Sequence, residues 1–261
     1  MDASRTAGEQ QLRRLRSFLS PQAWRLIANS GDEELEFRQR EIVVVFCDLR
    51  GFTAFVHTAP SAVIVSVLAD YHRCVGPVIL EHNGILERFT GDGLMVYFDD
   101  APLADQARCA VRMAVRMRDL VANLAVGWRR RGHPLDVGIG IALGPATLGP
   151  FGFDERRDYA AIGPVTNLSS RLCAEAAAGQ VLVTDRLYAA AGEVVDGQPL
   201  GARLLKGFDV PVEVYDVRGV SPPTPSRQPG ALLSTRRSDA RDTTRDARAA
   251  RGAEIPERLR A

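Results

Sequence analysis

Lysine is almost absent from this sequence. Of its 33 basic residues, only Lys206 is a lysine, and the other 32 are arginines. The phosphate loop G-x-x-x-x-G-K-[ST] needs a lysine after its glycine, and no lysine stands in such a place. The lysine of a protein kinase is missing as well, unless Lys206 served far out of order. These two routes to phosphate chemistry are therefore excluded, and arginine-rich codon usage is the simplest source of the imbalance.

Paired cysteines, a strong net charge and long apolar runs are missing too. The four cysteines are widely spaced and form no C-x-x-C pair, so neither disulfides nor zinc are expected. The formal net charge of +1 gives no electrostatic reason for a nucleic-acid partner. No uninterrupted apolar run approaches the ~20 residues of a membrane helix, and the N-terminal residues lack the apolar core of a signal peptide. We therefore expect a cytoplasmic protein without a membrane span.

The chain divides into three parts by composition. Residues 1–40 are predicted to be a helical lead-in, because apolar residues recur at helical spacing and Ser20-Pro21 is typical of a helix start. Residues 41–220 carry the patterns of a folded domain. Residues 221–261 are rich in Arg, Ala and Pro and poor in large apolar residues, which predicts a disordered tail.

The central part alternates apolar strand patterns with helical ones. The order βαββαβ predicts an α+β fold, a ferredoxin-like sandwich with extra C-terminal strands and with its helices on one face of a mainly antiparallel sheet. The predicted elements are strand 42–47, helix 61–81, strands 85–90 and 94–98, helix 104–129, strand 135–143, helix 165–178, and strands 181–184, 203–206 and 212–217.

Two aspartates stand where chemistry is expected. Asp48 ends the first strand, and Asp92 lies at the tip of the hairpin between two glycines. In a βαββ unit the first strand lies beside the hairpin, so both carboxylates can meet at one edge of the sheet. Such a pair suits Mg²⁺ with a polyphosphate, and the backbone amides of residues 49–53 can face phosphate oxygens. The alternative is structural, with Asp92 as a turn residue and Asp48 as a helix cap.

A second cluster follows Gly163. Asn167 and Arg171 are four residues apart, so they share one face of a predicted helix. An amide and a guanidinium on one face can steady a ribose and a phosphate in a transition state. The alternative is an exposed polar face on which the arginine forms a salt bridge.

Together these motifs resemble the catalytic domain of the class III nucleotidyl cyclases, the adenylate and guanylate cyclases. The order of the motifs agrees with that family along the whole central part. The matching pieces are Phe46-Cys47-Asp48-Leu49-Arg50-Gly51-Phe52-Thr53, Gly91-Asp92-Gly93, Gly163-x-x-x-Asn167-x-x-x-Arg171, and Leu205-Lys206-Gly207 followed by Val212-Glu213-Val214-Tyr215.

The resemblance implies a class III cyclase fold and a two-metal reaction. Two Mg²⁺ or Mn²⁺ ions per site would be held by Asp48, Asp92 and the carbonyl of Leu49, while the ribose 3′-hydroxyl attacks the α-phosphate in line. Asn167 would orient the ribose, and Arg171 would stabilise the pentavalent phosphate. Further substrate contacts would come from the phosphate-facing residues Gly51, Phe52 and Thr53 and from Lys206 at the terminal phosphates.

The same resemblance implies a homodimer. Active sites of this family lie between two subunits, so one chain with a complete residue set implies two equivalent sites in a symmetric pair. The segment 147–158 resembles the arm that reaches across that dimer.

Two positions leave the identity of the substrate's nucleobase open. Relatives read adenine with a lysine where this sequence has Arg88, and with an aspartate or threonine where it has Ala160. We expect ATP as the substrate and 3′,5′-cyclic AMP as the product, with GTP second and a pyrimidine triphosphate third. A degenerate nucleotide-binding regulator and a purely structural dimerisation module are the alternatives without turnover.

Overall fold

The computed structural model describes residues 3–20, 23–24 and 36–221. The predicted tail, apart from Ser221, and residues 25–35 of the predicted lead-in lie outside the described residues. The helices are α1 (Ala3–Phe18), α2 (Phe52–Thr58), α3 (Ser61–Glu81), α4 (Leu103–Arg130), α5 (Pro164–Glu175) and α6 (Asp185–Ala191). The strands are β1 (Arg38–Arg50), β2 (Ile85–Thr90), β3 (Gly93–Phe98), β4 (Asp136–Phe153), β5 (Arg156–Ile162), β6 (Val181–Thr184), β7 (Val195–Arg203) and β8 (Val212–Val220).

The eight strands form one sheet with β1 in its interior. The order is β2-β3-β1-β4-β6-β8-β7, and β5 pairs with the far half of β4. Every pairing is antiparallel except that of β4 with β6. The arrangement β2-β3-β1-β4, with α3 and α4 as connections, confirms the predicted ferredoxin-like core, and β6 to β8 are its C-terminal extension.

Both faces of β1 are buried, and this decides where the helices lie. Val43 and Val45 pack into one apolar cluster with α3 and α4, whereas Ile42 and Val44 pack into a second cluster with α5. Successive side chains of a strand point to opposite faces, so α5 covers the face away from α3 and α4. The prediction that all helices lie on one face is therefore wrong for α5, because a strand that is apolar on both sides needs cover on both.

Helix α5 lies directly on the sheet at Gly140. A Cβ at this position would lie 2.5 Å from the carbonyl oxygen of Ser169 and closer still to the amide nitrogen of Cys173. The Ser169 hydroxyl lies 2.9 Å from the carbonyl oxygens of both Val44 and Gly140, so it donates into the sheet. The missing side chain thus brings the helix backbone onto β4 and fixes which face of α5 points outward.

Helix α3 is the core helix of the opposite face. In the described part of the chain it is the one helix long and apolar enough, by length and composition alone, to cross a membrane. Its buried residues pack into the cluster on that face of the sheet, which accounts for its apolar composition. These residues are Val67, Tyr71, Val75, Val78 and Ile79.

Several boundaries differ from the sequence predictions. The strand predicted at 203–206 lies at residues 195–203, and β4 continues ten residues beyond the predicted end at Leu143. The short helices α2 and α6 were not predicted. The predicted capping role of Ser20 is confirmed, because the Ala23 amide donates to its hydroxyl oxygen at 3.1 Å.

We predict that Gly140→Ala destabilises the protein by about 1–3 kcal/mol, because the helix backbone above it must move. Urea unfolding followed by circular dichroism measures this change. Gly219→Ala in β8 is the matched control, since a Cβ there meets nothing within 4 Å. Equal stability of the two variants would contradict the close approach of α5.

Candidate active site

The structure brings Asp48 and Asp92 together at one end of the sheet. Asp48 in β1 is paired with Gly93 in β3, and Asp92 lies in the two-residue turn just before that glycine. A Cβ at Gly93 would lie 2.6 Å from the Thr90 hydroxyl and 3.1 Å from Oδ1 of Asp48. The missing side chain at Gly93 therefore leaves the space in which the two carboxylates meet.

The electrostatics of this pair favour a cation. Burial raises the pKa of Asp92 to about 6, and the negative charge of Asp48 and a hydrogen bond between the two side chains add to the rise. Two partly buried carboxylates this close repel each other when both are ionised. Within the described ranges no group of three or more His, Cys, Asp or Glu side chains surrounds a common point. The carboxylate pair itself fits an ion such as Mg²⁺, which is often held by one or two carboxylates together with phosphate oxygens and water.

Leu49 offers only its backbone to such an ion. Its side chain is 2% exposed and belongs to the apolar cluster beneath α3 and α4. The predicted ligand role of its carbonyl stays a prediction.

Arg50 lies between Asp48 and helix α5. Its Nη1 is 3.2 Å from Oδ2 of Asp48, and its Nη2 donates to the carbonyl oxygen of Cys173 near the end of α5. The guanidinium occupies the space that a side chain at Gly138 would fill. No local sequence pattern indicates a role for Arg50, because the contact with Cys173 spans 123 positions in the chain.

The segment after β1 turns sharply into α2. Gly51 has a φ of +81°, in the left-handed region that favours glycine, and it is the residue before the helix. The Phe52 ring packs on the core and lies 5.8 Å from the Phe55 ring, while Thr53 is exposed. The backbone amides of this first helical turn have no partner within the helix, as the predicted phosphate-facing role requires.

Asn167, Arg171 and Lys206 are exposed. Asn167 and Arg171 lie on the face of α5 opposite Ser169, so they point away from their own sheet. Lys206 follows the buried Leu205 in the loop after β7. Among residues 36–221 the structure records no side-chain hydrogen bond or ion pair for any of the three, so the predicted salt-bridge alternative for Arg171 is not seen. In the same described range, no side-chain hydrogen bond or ion pair joins any of them to Asp48, whose recorded partner is Arg50.

Arg88 and Ala160 line a separate cavity of about 660 Å³ between β2, the end of α1 and the β4–β5 hairpin. Glu87, whose side chain is only 3% exposed, accepts from the Ala161 amide at 3.2 Å and from Nε of Arg88 at 3.0 Å. These contacts fix the guanidinium at the cavity wall. Ala160 is buried and presents only a methyl group.

One chain thus carries two separate groups of candidate residues. The carboxylate pair lies at the end of β1, whereas the ribose, phosphate and base candidates lie on α5, on the loop after β7 and around the cavity.

A model of the adenylate and guanylate cyclase catalytic domain matches residues 36–217. An adenylate cyclase of Anabaena cylindrica is 32% identical over 155 residues, which cover 56% of this chain and 30% of the relative. Adenylate cyclase 1 of Rhizobium meliloti is 28% identical over 187 residues, covering 70% of this chain and 28% of that protein. The chain therefore spans less than a third of the length of these relatives.

Solved structures agree with the sequence relatives. The adenylyl cyclase CyaB from P. aeruginosa superimposes with a TM-score of 0.68 at 33% identity, covering 72% of this chain and 100% of that chain. The guanylyl cyclase Cya2 gives a TM-score of 0.67 at 32% identity, covering 71% and 95%. The fold is therefore shared with one protein named an adenylyl cyclase and with one named a guanylyl cyclase.

We predict opposite effects of Asp92→Asn with and without a divalent ion. In EDTA the variant should melt up to roughly 3 °C higher than the wild type, because the repulsion from Asp48 is removed. Added Mn²⁺ should raise the Tm of the wild type but not that of the variant. Differential scanning fluorimetry measures both, with the exposed Asp196→Asn as control. A variant that Mn²⁺ stabilises as strongly as the wild type would refute a metal site at this pair.

Proposed function

The chain belongs to the family of adenylate and guanylate cyclase catalytic domains, and we propose that it converts ATP into 3′,5′-cyclic AMP and pyrophosphate. The proposal rests on one observation, which is that two groups of candidate residues lie on different surfaces of one chain. Asp48 and Asp92 form a carboxylate pair, while Asn167 and Arg171 stand exposed and unpartnered among the described residues on another surface.

Two Mg²⁺ or Mn²⁺ ions, held by Asp48, Asp92 and the carbonyl of Leu49, would supply charge neutralisation at the α-phosphate and favour ionisation of the ribose 3′-hydroxyl. The amides at Gly51, Phe52 and Thr53 would face the phosphate oxygens. In this way, residues at the end of β1 bind and align the triphosphate, and most of the rate acceleration comes from that positioning.

Helix α5 and the loop after β7 would complete the site from a second subunit. Asn167 would hold the ribose, and Arg171 would donate to the charge that develops on the α-phosphate, a contact typically worth about 10²–10³ in rate. Lys206 would bind the terminal phosphates as a compact point charge. In a symmetric homodimer each chain gives its carboxylates to one site and its α5 to the other, so two equivalent sites result.

The hairpin of β4 and β5 supports this pairing. It continues the sheet beyond β1 through the register Thr147 with Ile162 to Phe153 with Arg156, and the Phe153 side chain is 63% exposed at its tip. An exposed aromatic at the end of such a projection suits a contact with a second copy. The cytoplasm is the proposed location, since nucleoside triphosphates are available there.

Guanylate cyclase activity is the second candidate. Ala160 offers no acceptor for the 6-amino group of adenine, and Arg88 offers donors in a planar fork. Such a fork matches the O6 and N7 acceptors of guanine. Adenine stays first because the two curated relatives described above are named adenylate cyclases. No feature of the cavity favours a pyrimidine.

We predict that the purified protein with Mn²⁺ forms cyclic AMP from ATP at the highest kcat/KM among ATP, GTP, CTP and UTP. Mass spectrometry of the products identifies each cyclic nucleotide. Asp48→Ala should abolish turnover while leaving the circular dichroism spectrum unchanged. Cyclic GMP as the main product would replace the first candidate by the second, and the absence of any cyclic product would leave only the alternatives without turnover.

We further predict that Asp48→Ala and Arg171→Ala chains complement each other. Each alone should be inactive, and an equimolar mixture should recover about a quarter of wild-type activity, since half of the dimers are mixed and each carries one intact site. Native mass spectrometry verifies that mixed dimers form. Mixed dimers without activity would contradict a shared site.

A further inference from the structure

The guanidinium of Arg50 is the only positive group recorded in contact with the carboxylate pair in the described part of the chain. Asp48 and Arg50 are two positions apart on β1, so their side chains leave the same face of the strand. The Arg50 side chain is 23% exposed and that of Asp48 is 38% exposed. The ion pair is therefore partly shielded from water and is not a solvated surface pair.

The two oxygens of Asp48 have different neighbours. Oδ2 accepts from Nη1 of Arg50 at 3.2 Å. Oδ1 faces the bare backbone of Gly93, 3.1 Å from where a Cβ would stand, on the side of the Asp92 turn. Arg50 thus occupies one oxygen and leaves the other directed at the place where the carboxylates meet.

The other end of the guanidinium is fixed to helix α5. Nη2 donates to the carbonyl oxygen of Cys173 and lies 3.4 Å from its Sγ. Burial raises the pKa of the Cys173 thiol to about 12, so the thiol remains neutral beside the arginine. Carbonyl groups in the last turn of a helix attract cations, which makes this carbonyl a suitable anchor.

Gly138 makes this path available. It is paired with Asp48 across β1 and β4, and a Cβ there would lie 2.6 Å from Nη2 and 2.8 Å from Cζ of Arg50. Only glycine at this position leaves the guanidinium its place between the strand and the helix.

We propose that Arg50 is a positioning residue that holds the Asp48 carboxylate in the orientation required for divalent-ion binding and ties that orientation to helix α5. A forked guanidinium can bond the carboxylate and the carbonyl at once, whereas an ammonium group is a single point charge. Groups that orient a metal ligand without touching the ion commonly change metal affinity by about 10–100-fold. The inference rests on the metal site of the proposed function.

Direct Mn²⁺ binding tests the proposal. Electron paramagnetic resonance titration of free Mn²⁺ is performed with and without 3′-deoxy-ATP, which lacks the attacking hydroxyl. Arg50→Met should weaken Mn²⁺ binding about 10–100-fold, and Arg50→Lys should restore only part of it. The KM for nucleotide at saturating Mn²⁺ should stay within about twofold of the wild type, because Arg50 is not placed on the nucleotide. Arg73→Met is the matched control, since it removes an exposed arginine paired with Asp70.

Gly138→Ala provides an independent variant that keeps every charge. The atoms it would displace belong to the Arg50 side chain, so the guanidinium should leave its place while the strands stay paired. Mn²⁺ affinity should fall as it does in Arg50→Met, with a circular dichroism spectrum like that of the wild type. This variant also keeps the proposal testable if Arg50→Met fails to fold.

Wild-type Mn²⁺ affinity in a folded Arg50→Met or Gly138→Ala protein would overturn the proposal, and so would a wild-type protein that binds no Mn²⁺. A wild-type chain that forms no cyclic nucleotide, yet loses Mn²⁺ affinity on removal of Arg50, would contradict the proposed function alone. The two failures are therefore distinguishable.

Discussion

The absence of side chains on both sides of Asp48 is the constraint on which the candidate site depends. Gly93 on β3 and Gly138 on β4 are its two partners across the sheet. The first leaves space in which Asp92 approaches, and the second leaves space for the guanidinium of Arg50. Two carboxylates and an arginine thereby gather at one end of a strand whose preceding residues are buried on both faces.

The missing side chain at Gly140 likewise determines which face of α5 points outward. Because α5 lies directly on β4 there, its inward positions are filled by contacts with the sheet, and Asn167 and Arg171 are left on the outer face. The proposed site between two chains rests on this outward placement of Asn167 and Arg171.

Much of the fold follows from local sequence patterns. Helix 61–81 and the strands 85–90 and 181–184 have the predicted boundaries, because apolar periodicity and turn residues agree there. Strand β7 was largely missed since Gly197, Pro199 and Gly201 give it little strand propensity, and pairing with β8 supplies what propensity does not. The position of α5 depends on how the whole sheet is covered, which no local window contains.

The candidate site, like the fold, was predictable from the sequence only in part. The nearness of Asp48 and Asp92 was predictable from the βαββ order and the Gly-Asp-Gly turn. The role of Arg50 was not predictable, because it depends on a carbonyl on a distant helix and on a missing side chain on a neighbouring strand. Glu87 was missed for a related reason, since its partner, the Ala161 amide, belongs to a strand 74 positions away.

We propose above that the carboxylates of one chain and helix α5 of another meet on one nucleotide. A crystal structure of the protein with Mn²⁺ and 3′-deoxy-ATP tests it most directly. We expect Mn²⁺ between Asp48 and Asp92, with Arg171 of the partner subunit on the α-phosphate. A nucleotide that contacts Asp48 and Arg171 of the same chain, or Mn²⁺ bound away from the two aspartates, would contradict it.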